Sequence, residues 1–448
     1  MRTVAAAIIT FLVSVPAFAQ VDGHASVIVD VLPDVDEAPG RQSVVEARVR
    51  LFAERHDELG PHLRLNIAGY VDGLLADRGV LSGDGTTTEV IVRPADLYLD
   101  IVTPHFDVRL GAARLVWGRL DEFQPTDVVN PLDLSRFLME GRSEARLPVG
   151  LVRARAFLPR STTLEAVVVP HFRRGRFDQL DEPSSPFNLA DPTGSAPLNL
   201  ADPTGSAPLN FAEPTGSAPL NFAEPTGSAP RSTVTTEPTG VASLQGGLRL
   251  TTTTARVDWS VSAYRGRRAF PISTLATNAE SQALVIRESF PRFTMIGGDF
   301  ETVRGLWGVR GEVAAFVDDE LQSTRLVRGV PGRSLTAGIG VDRKAGDYRI
   351  AANALWGWSG GDEEVERTDI SLVLAADRSF ARETRTLRVF GVYDPADATA
   401  FARVIGAVSV RENVWLEGSA GVFTGSSLDV IGRLTRRDFL YARLKVFF

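Results

Sequence analysis

The C-terminal stretch of the chain decides its fold class: Arg436-Arg437-Asp438-Phe439-Leu440-Tyr441-Ala442-Arg443-Leu444-Lys445-Val446-Phe447-Phe448. Counted back from Phe448 to Leu440, every second residue is apolar, and Tyr441, Arg443 and Lys445 lie between them. Successive side chains of a strand point to opposite faces, so this pattern predicts a β-strand with one apolar and one polar face. A buried last strand of a soluble protein would show the same alternation.

The same stretch resembles the C-terminal strand of Gram-negative outer-membrane β-barrels. Those strands finish on an aromatic residue that the barrel-assembly machinery reads. The resemblance implies an all-β, antiparallel transmembrane β-barrel in the outer membrane, with lipid and the assembly machinery as partners. It also implies an assembly signal formed by Tyr441, Leu444, Val446 and Phe448.

The start of the chain has the features of an export signal. Arg2 precedes an apolar run over residues 4–15, and Ala17 and Ala19 form an A-x-A cleavage site. This pattern predicts a cleaved signal peptide over residues 1–19. No later run reaches the roughly 18 apolar residues that a spanning helix needs. The exported chain is therefore expected to cross a membrane as a closed barrel, the alternative being a soluble periplasmic or extracellular protein.

Alternation of apolar and polar residues continues along the rest of the chain. Residues 20–44 are predicted to form a periplasmic N-terminal segment with a first strand at residues 25–32. Residues 45–448 are predicted to form the barrel, with short turns alternating with long connections and both termini in the periplasm. The alternation marks seventeen strands, or eighteen with residues 25–32. Bacterial single-chain barrels have even strand numbers, so eighteen strands are expected, with sixteen as the alternative.

The polar phase of these strands is rich in arginine. Burying such charges in a dry core costs several kcal/mol, whereas a water-filled lumen removes that cost. The predicted pore-lining residues are Arg48, Arg50, Arg64, Arg109, Arg153, Arg155 and Arg443. Their excess over inward carboxylates predicts a wall that favours anionic solutes.

A second resemblance lies between residues 95 and 160. It rests on Arg109-Leu110-Gly111, on Val116-Trp117-Gly118-Arg119, and on Pro125-Thr126-Asp127-Val128-Val129-Asn130-Pro131-Leu132-Asp133-Leu134. These segments are similar to a family of proteobacterial outer-membrane barrels of unknown function, related to porin and alginate-export barrels. The family's usual Gly-Arg-Gln is Gly111-Ala112-Ala113 here, so any role of that glutamine is in doubt. The resemblance implies a passive or substrate-specific channel, with hydrophobic and sterol-like compounds among the suggested cargo.

The connection over residues 118–146 is predicted to fold inward as a constriction loop. Its charged residues are Asp121, Glu122, Asp127, Asp133 and Arg136. Opposite charges that narrow a wide barrel provide selectivity. A solvated surface loop is the alternative, and the carboxylate spacing matches no calcium-loop pattern.

The connection over residues 174–240 contains an eleven-residue repeat that begins at Asn188, Asn199, Asn210 and Asn221. Two prolines and one glycine in each unit exclude a helix. The composition is typical of a low-complexity surface loop, which we expect on the extracellular side.

Composition and motifs give no sign of an enzyme. The chain has no cysteine, five histidines and a net charge of −7. No phosphate-binding loop, nucleophile elbow or metal-spaced histidine pair occurs, and no basic segment suggests nucleic acid. We expect no cofactor and no metal.

The sequence therefore predicts an outer-membrane channel for small solutes, with a preference for anions. The alternatives are a transporter of hydrophobic molecules and a structural barrel that displays the repeat loop. A hydrophobic transporter needs an apolar track inside the barrel, for which Phe52, Phe157, Phe316 and Phe390 are candidates.

Overall fold

A computed structural model describes residues 21–32, 44–77, 86–133, 145–176, 232–277, 284–323, 328–361, 366–425, 431 and 438–448. The predicted signal peptide, Arg136 and the four repeat units lie outside the described residues.

The elements along the chain are β1 (Asp22–Leu32), β2 (Val44–Gly60), β3 (Leu63–Asp77), β4 (Thr86–Val102), β5 (Phe106–Ala113), β6 (Val149–Leu158), β7 (Thr162–Val169), β8 (Ser232–Thr236), a 3₁₀ turn (Gly240–Ser243), β9 (Gln245–Thr253), β10 (Asp258–Arg267), β11 (Ile272–Thr277), β12 (Leu284–Ser289), β13 (Arg292–Arg304), β14 (Trp307–Gln322), β15 (Gly329–Ala345), β16 (Tyr348–Gly360), β17 (Arg367–Phe380), β18 (Arg385–Asp394), β19 (Thr399–Arg411), β20 (Val414–Thr424) and β21 (Phe439–Phe447).

Eighteen of the described strands form one sheet in which neighbours along the chain pair antiparallel. The sheet closes because β1 pairs with both β2 and β21, so that Ala25 lies opposite Leu51 on one side and Val446 on the other. This confirms the predicted all-β barrel and its count of eighteen strands. Closure leaves no unpaired edge strand in the barrel wall.

Gly23, at the start of β1, meets Phe448 at the seam of the barrel, where β1 pairs with β21. The backbone N–H of Gly23 donates to the carbonyl of Phe448 at 3.2 Å, and the N–H of Phe448 donates to the carbonyl of Gly23 at 3.1 Å. A Cβ on residue 23 would lie 2.3 Å from the carbonyl oxygen of Phe52. Only glycine fits this close approach, and it lets the last residue join the sheet.

Each strand presents an apolar face outward and a mixed, largely polar face inward. Val92, Ile339 and Leu374 on the outer face are more than half exposed. Arg48 and Asp72 on the opposite phase are almost fully buried. Exposed apolar rows around buried charges are the reverse of a soluble sheet, and they suit a wall that faces lipid outside and water inside.

The two rims of the barrel differ. One rim carries the short turns, for example at Gly305, Gly346 and Asn413, where positive φ angles of 61–64° tighten the chain reversal. The start of β1 and the end of β21 lie at this rim. The other rim carries the long connections. We call them the short-turn rim and the long-loop rim.

A second sheet of three strands comes from the long connections. β11 and β12 pair antiparallel, and β12 pairs parallel with β8. The sequence did not predict this sheet, because its strands are only five or six residues long. In addition, β8 belongs to the connection between β7 and β9, whereas β11 and β12 belong to the connection between β10 and β13.

In the described part of the chain, no helix has the length and apolarity needed to cross a membrane.

Candidate functional site

The chain turns into the barrel after β5. We call residues 114–133 the inward segment. Trp117 and Leu120 are each 1% exposed, and Phe123 is 4% exposed. Burial this complete is incompatible with a solvated surface loop and requires packing partners on the inner wall.

Those partners lie on two different sides of the barrel. Leu115, Trp117 and Val129 pack in a cluster with inward residues of β10, β13 and β14, which include Tyr264 and Phe316. Leu120, Phe123 and Leu132 pack in a second cluster with inward residues of β16 to β21. The inward segment therefore crosses the interior from one wall to the other.

A single carboxylate on β14 anchors the tip of this segment. Glu312, which is 4% exposed, accepts hydrogen bonds from the backbone N–H groups of Arg119 and Leu120 through Oε1. Its Oε2 accepts from the N–H of Thr126 at 3.4 Å and from the Thr126 hydroxyl at 3.2 Å. Four donors converge on one buried group, which satisfies backbone groups that would otherwise lack partners.

Gly118 makes this approach possible. Its φ of +94° lies in a region that L side chains rarely adopt. A Cβ at this position would lie 2.6 Å from a carboxylate oxygen of Glu312. The glycine is therefore required both by its backbone conformation and by the space that the Glu312 side chain occupies.

A row of ion pairs fixes the tip of the segment to the wall beside Glu312. Asp121 pairs with Arg349 at 2.8 Å and with Arg310 at 3.4 Å, and Glu122 pairs with Arg388. Arg119 pairs with Asp299 at 2.6 Å. These contacts join residues of the inward segment to β13, β14, β16 and β18.

The base of the segment is held separately. Asn130 accepts from the N–H of Leu115 and donates to the carbonyls of Ala113 and Leu147 at 2.7–3.0 Å. Asp127 pairs with Arg146. Asp133 pairs with Arg93 of β4 at 3.1 Å. All four predicted carboxylates of the loop thus have partners on the wall or at its base, and Arg136 lies outside the described residues.

The predicted pore-lining arginines lie on the inward phase of their strands, and most are paired. Arg48 pairs with Glu46 at 3.3 Å, Arg50 with Asp72 at 2.7 Å, Arg109 with Asp100 at 2.7 Å and Arg64 with Glu58 at 3.5 Å. Arg443 has no ion pair among the described residues and lies over the Tyr441 ring at 5.6 Å. Paired arginines contribute less net charge to the wall than their number suggests.

Arg153 and Arg155 share one carboxylate. Arg155 binds both oxygens of Asp107 through Nε at 2.9 and 3.0 Å, whereas Arg153 approaches Asp107 only at 3.4 Å. The Nε of Arg153 has no hydrogen-bond partner. Arg153 also lies directly opposite Arg109 in the β5–β6 register, which places like charges side by side. Arg153 is therefore less fully paired than Arg155, while Glu165 lies opposite Arg155 in the β6–β7 register.

Aromatic residues dominate another part of the inner wall. Phe401 and Phe423 stack with ring centroids 4.6 Å apart, and Phe390 lies 6.1 Å from Phe401. Phe439 belongs to the same cluster, as does Phe123 of the inward segment. Of the other sequence candidates for an apolar track, Phe316 lies in the opposite cluster, Phe52 stacks on Tyr70, and Phe157 is 39% exposed beside Arg155.

The predicted assembly-signal residues divide between the two faces of β21. Tyr441 is buried inside, where its hydroxyl bonds to Arg403 and Glu417. Leu444 and Val446 lie on the outer phase, and Phe448 closes the seam.

The family described as protein of unknown function (DUF1302) matches residues 95–381, which is more than half of the chain. The chain belongs to this family. The match confirms the resemblance inferred from residues 95–160 and extends it over most of the barrel. The inward segment and its partners on β13, β14 and β16 all lie within the residues that the family covers.

Solved structures confirm the fold. The barrel is similar to the Acinetobacter baumannii protein OccAB4, with a TM-score of 0.50 and 8% identity over 96% of this chain and 97% of that chain. It is also similar to OccAB1 of the same organism, with a TM-score of 0.50 and 8% identity over 96% of each chain. No curated protein matches the sequence. Identity this low supports the shared barrel architecture and nothing finer.

Within the described ranges, no three or more histidine, aspartate or glutamate side chains gather in a way that could hold a metal ion.

Proposed function

We propose that this family member is a porin-like channel of the outer membrane that passes small solutes, and that the inward segment constricts it. The observation that carries the proposal is the docking of the inward segment across a closed eighteen-stranded barrel, on Glu312 and on the Arg310, Arg349 and Arg388 row. A barrel of this size without such a segment encloses a wide aqueous space. A fixed inner segment with charged residues narrows that space and gives it selectivity.

The chemistry of the wall supports passage of polar solutes. Guanidinium and carboxylate groups in adjacent, partly exposed pairs, as at Arg109–Asp100 and Arg349–Asp121, are costly in a dry interior and tolerated beside water. The outer apolar face supports a membrane setting, and the predicted export signal supports the outer membrane. Lipid and the barrel-assembly machinery are the partners that this location requires.

We propose further that the solutes are preferentially anionic. The support is the uneven pairing at Arg153 and Arg155, which share Asp107 while Arg109 lies opposite Arg153. The extended row of paired arginines elsewhere argues for a moderate preference, because paired charges largely cancel at a distance.

Single-channel recording in a planar bilayer tests both parts of this proposal, the existence of a channel and its preference for anions. Steady conductance is expected for the refolded chain, with a reversal potential in a KCl gradient that favours chloride. The double variant Arg153→Gln/Arg155→Gln leaves Asp107 without its partners and should shift the reversal potential towards cations.

The matched control is Arg64→Gln, because Arg64 also lies on the inward phase but is exposed near the short-turn rim. An unchanged reversal potential in the double variant would contradict the proposed anion preference, whereas the proposal of a channel would stand. Silence of the correctly folded chain would remove the channel itself.

A second candidate function is the transport of hydrophobic molecules. The aromatic cluster of Phe390, Phe401, Phe423 and Phe439 on the inner wall favours it. Phe123 of the inward segment packs on this cluster, so the route requires the segment to move. A silent channel whose Phe423→Ser variant loses uptake of an apolar solute would favour this second function.

A further inference from the structure

A group of arginines gathers at the long-loop rim, away from the Arg153–Arg155 wall. Arg93 comes from the inward phase of β4, and Arg173 and Arg176 come from the connection that follows β7. The connection after β5 supplies Asp133, and the backbone N–H of Arg176 donates to the carbonyl of Leu132 at 2.9 Å. Segments far apart in sequence thus bring three guanidinium groups to one place.

Among the described residues, the buried carboxylate of Asp133 contacts two of these arginines. Oδ2 of Asp133 lies 3.1 Å from Nη1 of Arg93 and 3.9 Å from Nη1 of Arg176. The Asp133 side chain is 5% exposed, whereas the side chains of Arg93 and Arg176 remain 20% and 28% exposed. The carboxylate is therefore covered while the cations around it still reach solvent.

Arg173 adds a positive charge that Asp133 does not neutralise. Its Nη1 donates to the carbonyl of Pro148 at 2.5 Å, and it has no ion pair with any described residue. Burial, together with the nearby charges of Arg176 and Arg93, lowers the pKa of Arg173 below its ordinary value. A cation held against other cations lacks the counter-charge that would stabilise it.

Arg93 supplies a second unsatisfied donor. Its Nε is buried and has no hydrogen-bond partner. Buried guanidinium donors without an acceptor are uncommon in folded proteins, because the lost hydration is not replaced. The unpartnered Nε of Arg93 and the Arg173 charge, which has no described ion pair, therefore occur in the same group of residues.

We propose that Arg93, Arg173 and Arg176 form a binding site for an oxyanion, phosphate or carboxylate, of a dissolved solute at the long-loop rim. Guanidinium groups bind such oxygens through paired, charge-assisted hydrogen bonds. The proposal commits to a dissolved solute because Arg93 lies on the inner face of β4, away from the lipid-facing surface that Val90 and Val92 form.

Equilibrium binding to the detergent-solubilised full barrel, freed of lipopolysaccharide, tests this site without requiring conductance. Inorganic phosphate is the probe, and its binding is measured by titration calorimetry at low ionic strength. Wild-type protein is expected to bind about one phosphate per chain. Arg173→Gln should weaken binding about tenfold, since it removes one charge-assisted contact.

The matched control is Arg174→Gln. Arg174 is the next residue along the chain, is exposed, and pairs with Glu237 at 3.4 Å instead of joining the group. Its loss should leave phosphate binding unchanged. Arg173→Lys keeps the positive charge but loses the paired donors of the planar guanidinium group. A phosphate affinity between those of the wild type and Arg173→Gln would show that the effect comes from anion binding and not from a folding defect.

Three results would overturn the proposal. They are absence of phosphate binding by the folded barrel, equal weakening by Arg173→Gln and Arg174→Gln, and binding of lipopolysaccharide without binding of inorganic phosphate. The last result would assign the arginines to a lipid headgroup. None of these results bears on whether the barrel conducts ions, which the bilayer recording measures separately.

Discussion

Replacement of Glu312 by alanine should release the tip of the inward segment from the barrel wall. The variant removes the acceptor for the N–H groups of Arg119 and Leu120 and for both donors of Thr126. A donor left without a partner in a buried site costs about 1–3 kcal/mol. The two short backbone bonds alone therefore correspond to about 3–6 kcal/mol, allowing for the charge on the acceptor.

That energy is large compared with the ion pairs that remain at the tip, although the packing of Leu120 and Phe123 on the wall also remains. The ion pairs of Asp121 and Glu122 with the wall arginines are partly exposed, and such pairs contribute about 0–1 kcal/mol each. Because about 1.4 kcal/mol changes an equilibrium tenfold, the docked state should lose about a hundredfold or more of its population relative to the undocked state. The ion pairs should still return the segment to the wall part of the time.

Single-channel recording in a planar bilayer measures the outcome. Glu312→Ala is expected to show a higher mean conductance and rapid steps between a wild-type level and a larger level. Glu312→Gln keeps one acceptor oxygen and should give a smaller change in the same direction. Glu320→Gln is the matched control, since Glu320 lies on the same strand with its carboxylate beside Gly329.

Unchanged conductance and unchanged current noise in a correctly folded Glu312→Ala barrel would refute the reasoning. That result would mean either that the inward segment is held by its base alone or that it does not limit the current.

Two further changes test neighbouring features. Gly118→Ala should loosen the same tip by about 1–3 kcal/mol, because it forces a side chain into positive φ and against Glu312, and a conductance as steady as wild type would contradict this. Deletion of Phe448 should lower the amount of folded barrel in the outer membrane, measured by heat-modifiable migration of membrane extracts, because it removes both seam hydrogen bonds to Gly23 and the terminal aromatic residue; equal yields would show that assembly reads other residues.

The strand pattern could be predicted because each barrel strand separates two solvents. Outward residues such as Leu440 and Leu374 meet an apolar surrounding, and inward residues such as Arg50 and Asp72 meet polar groups. Apolar outward residues alternate with polar inward residues at every second position, so the pattern can be recognised even in a short strand. For the same reason the alternation assigns the arginines to the inward phase.

The pairing of those arginines was beyond the sequence. Arg50 and Asp72 are directly opposite in the β2–β3 register, and Arg109 and Asp100 are opposite in the β4–β5 register. A shift of two residues would keep every side chain on its face and break every pair. Turn lengths and, in the β2–β3 pairing, a bulge between Glu58 and Gly60 set that register, and the alternation pattern does not report them.

The sequence suggested an inward-folding constriction loop after β5 from its carboxylates, whereas it gave no indication of the partners of that segment. Glu122 reaches Arg388, which is 266 residues away along the chain, and Glu312 is 192 residues from Leu120. In sequence Glu312 is one inward carboxylate among several. Its role follows from converging backbone N–H groups, which exist only after the segment has folded into the barrel.

These contacts change what the wall charges can do. Arg310, Arg349 and Arg388 face the barrel interior by phase, and each forms an ion pair with a carboxylate of the inward segment. These arginines therefore stabilise the docked inward segment. Each one forms an ion pair with Asp121 or Glu122, and the opposite charges of such a pair largely cancel at the position of a solute. Under the proposed anion preference, a solute gains binding energy where a guanidinium group lacks a carboxylate of its own, as at Arg153 and again at Arg173. The distribution of unpaired charge, and not the count of arginines, therefore determines where this barrel can select its solutes.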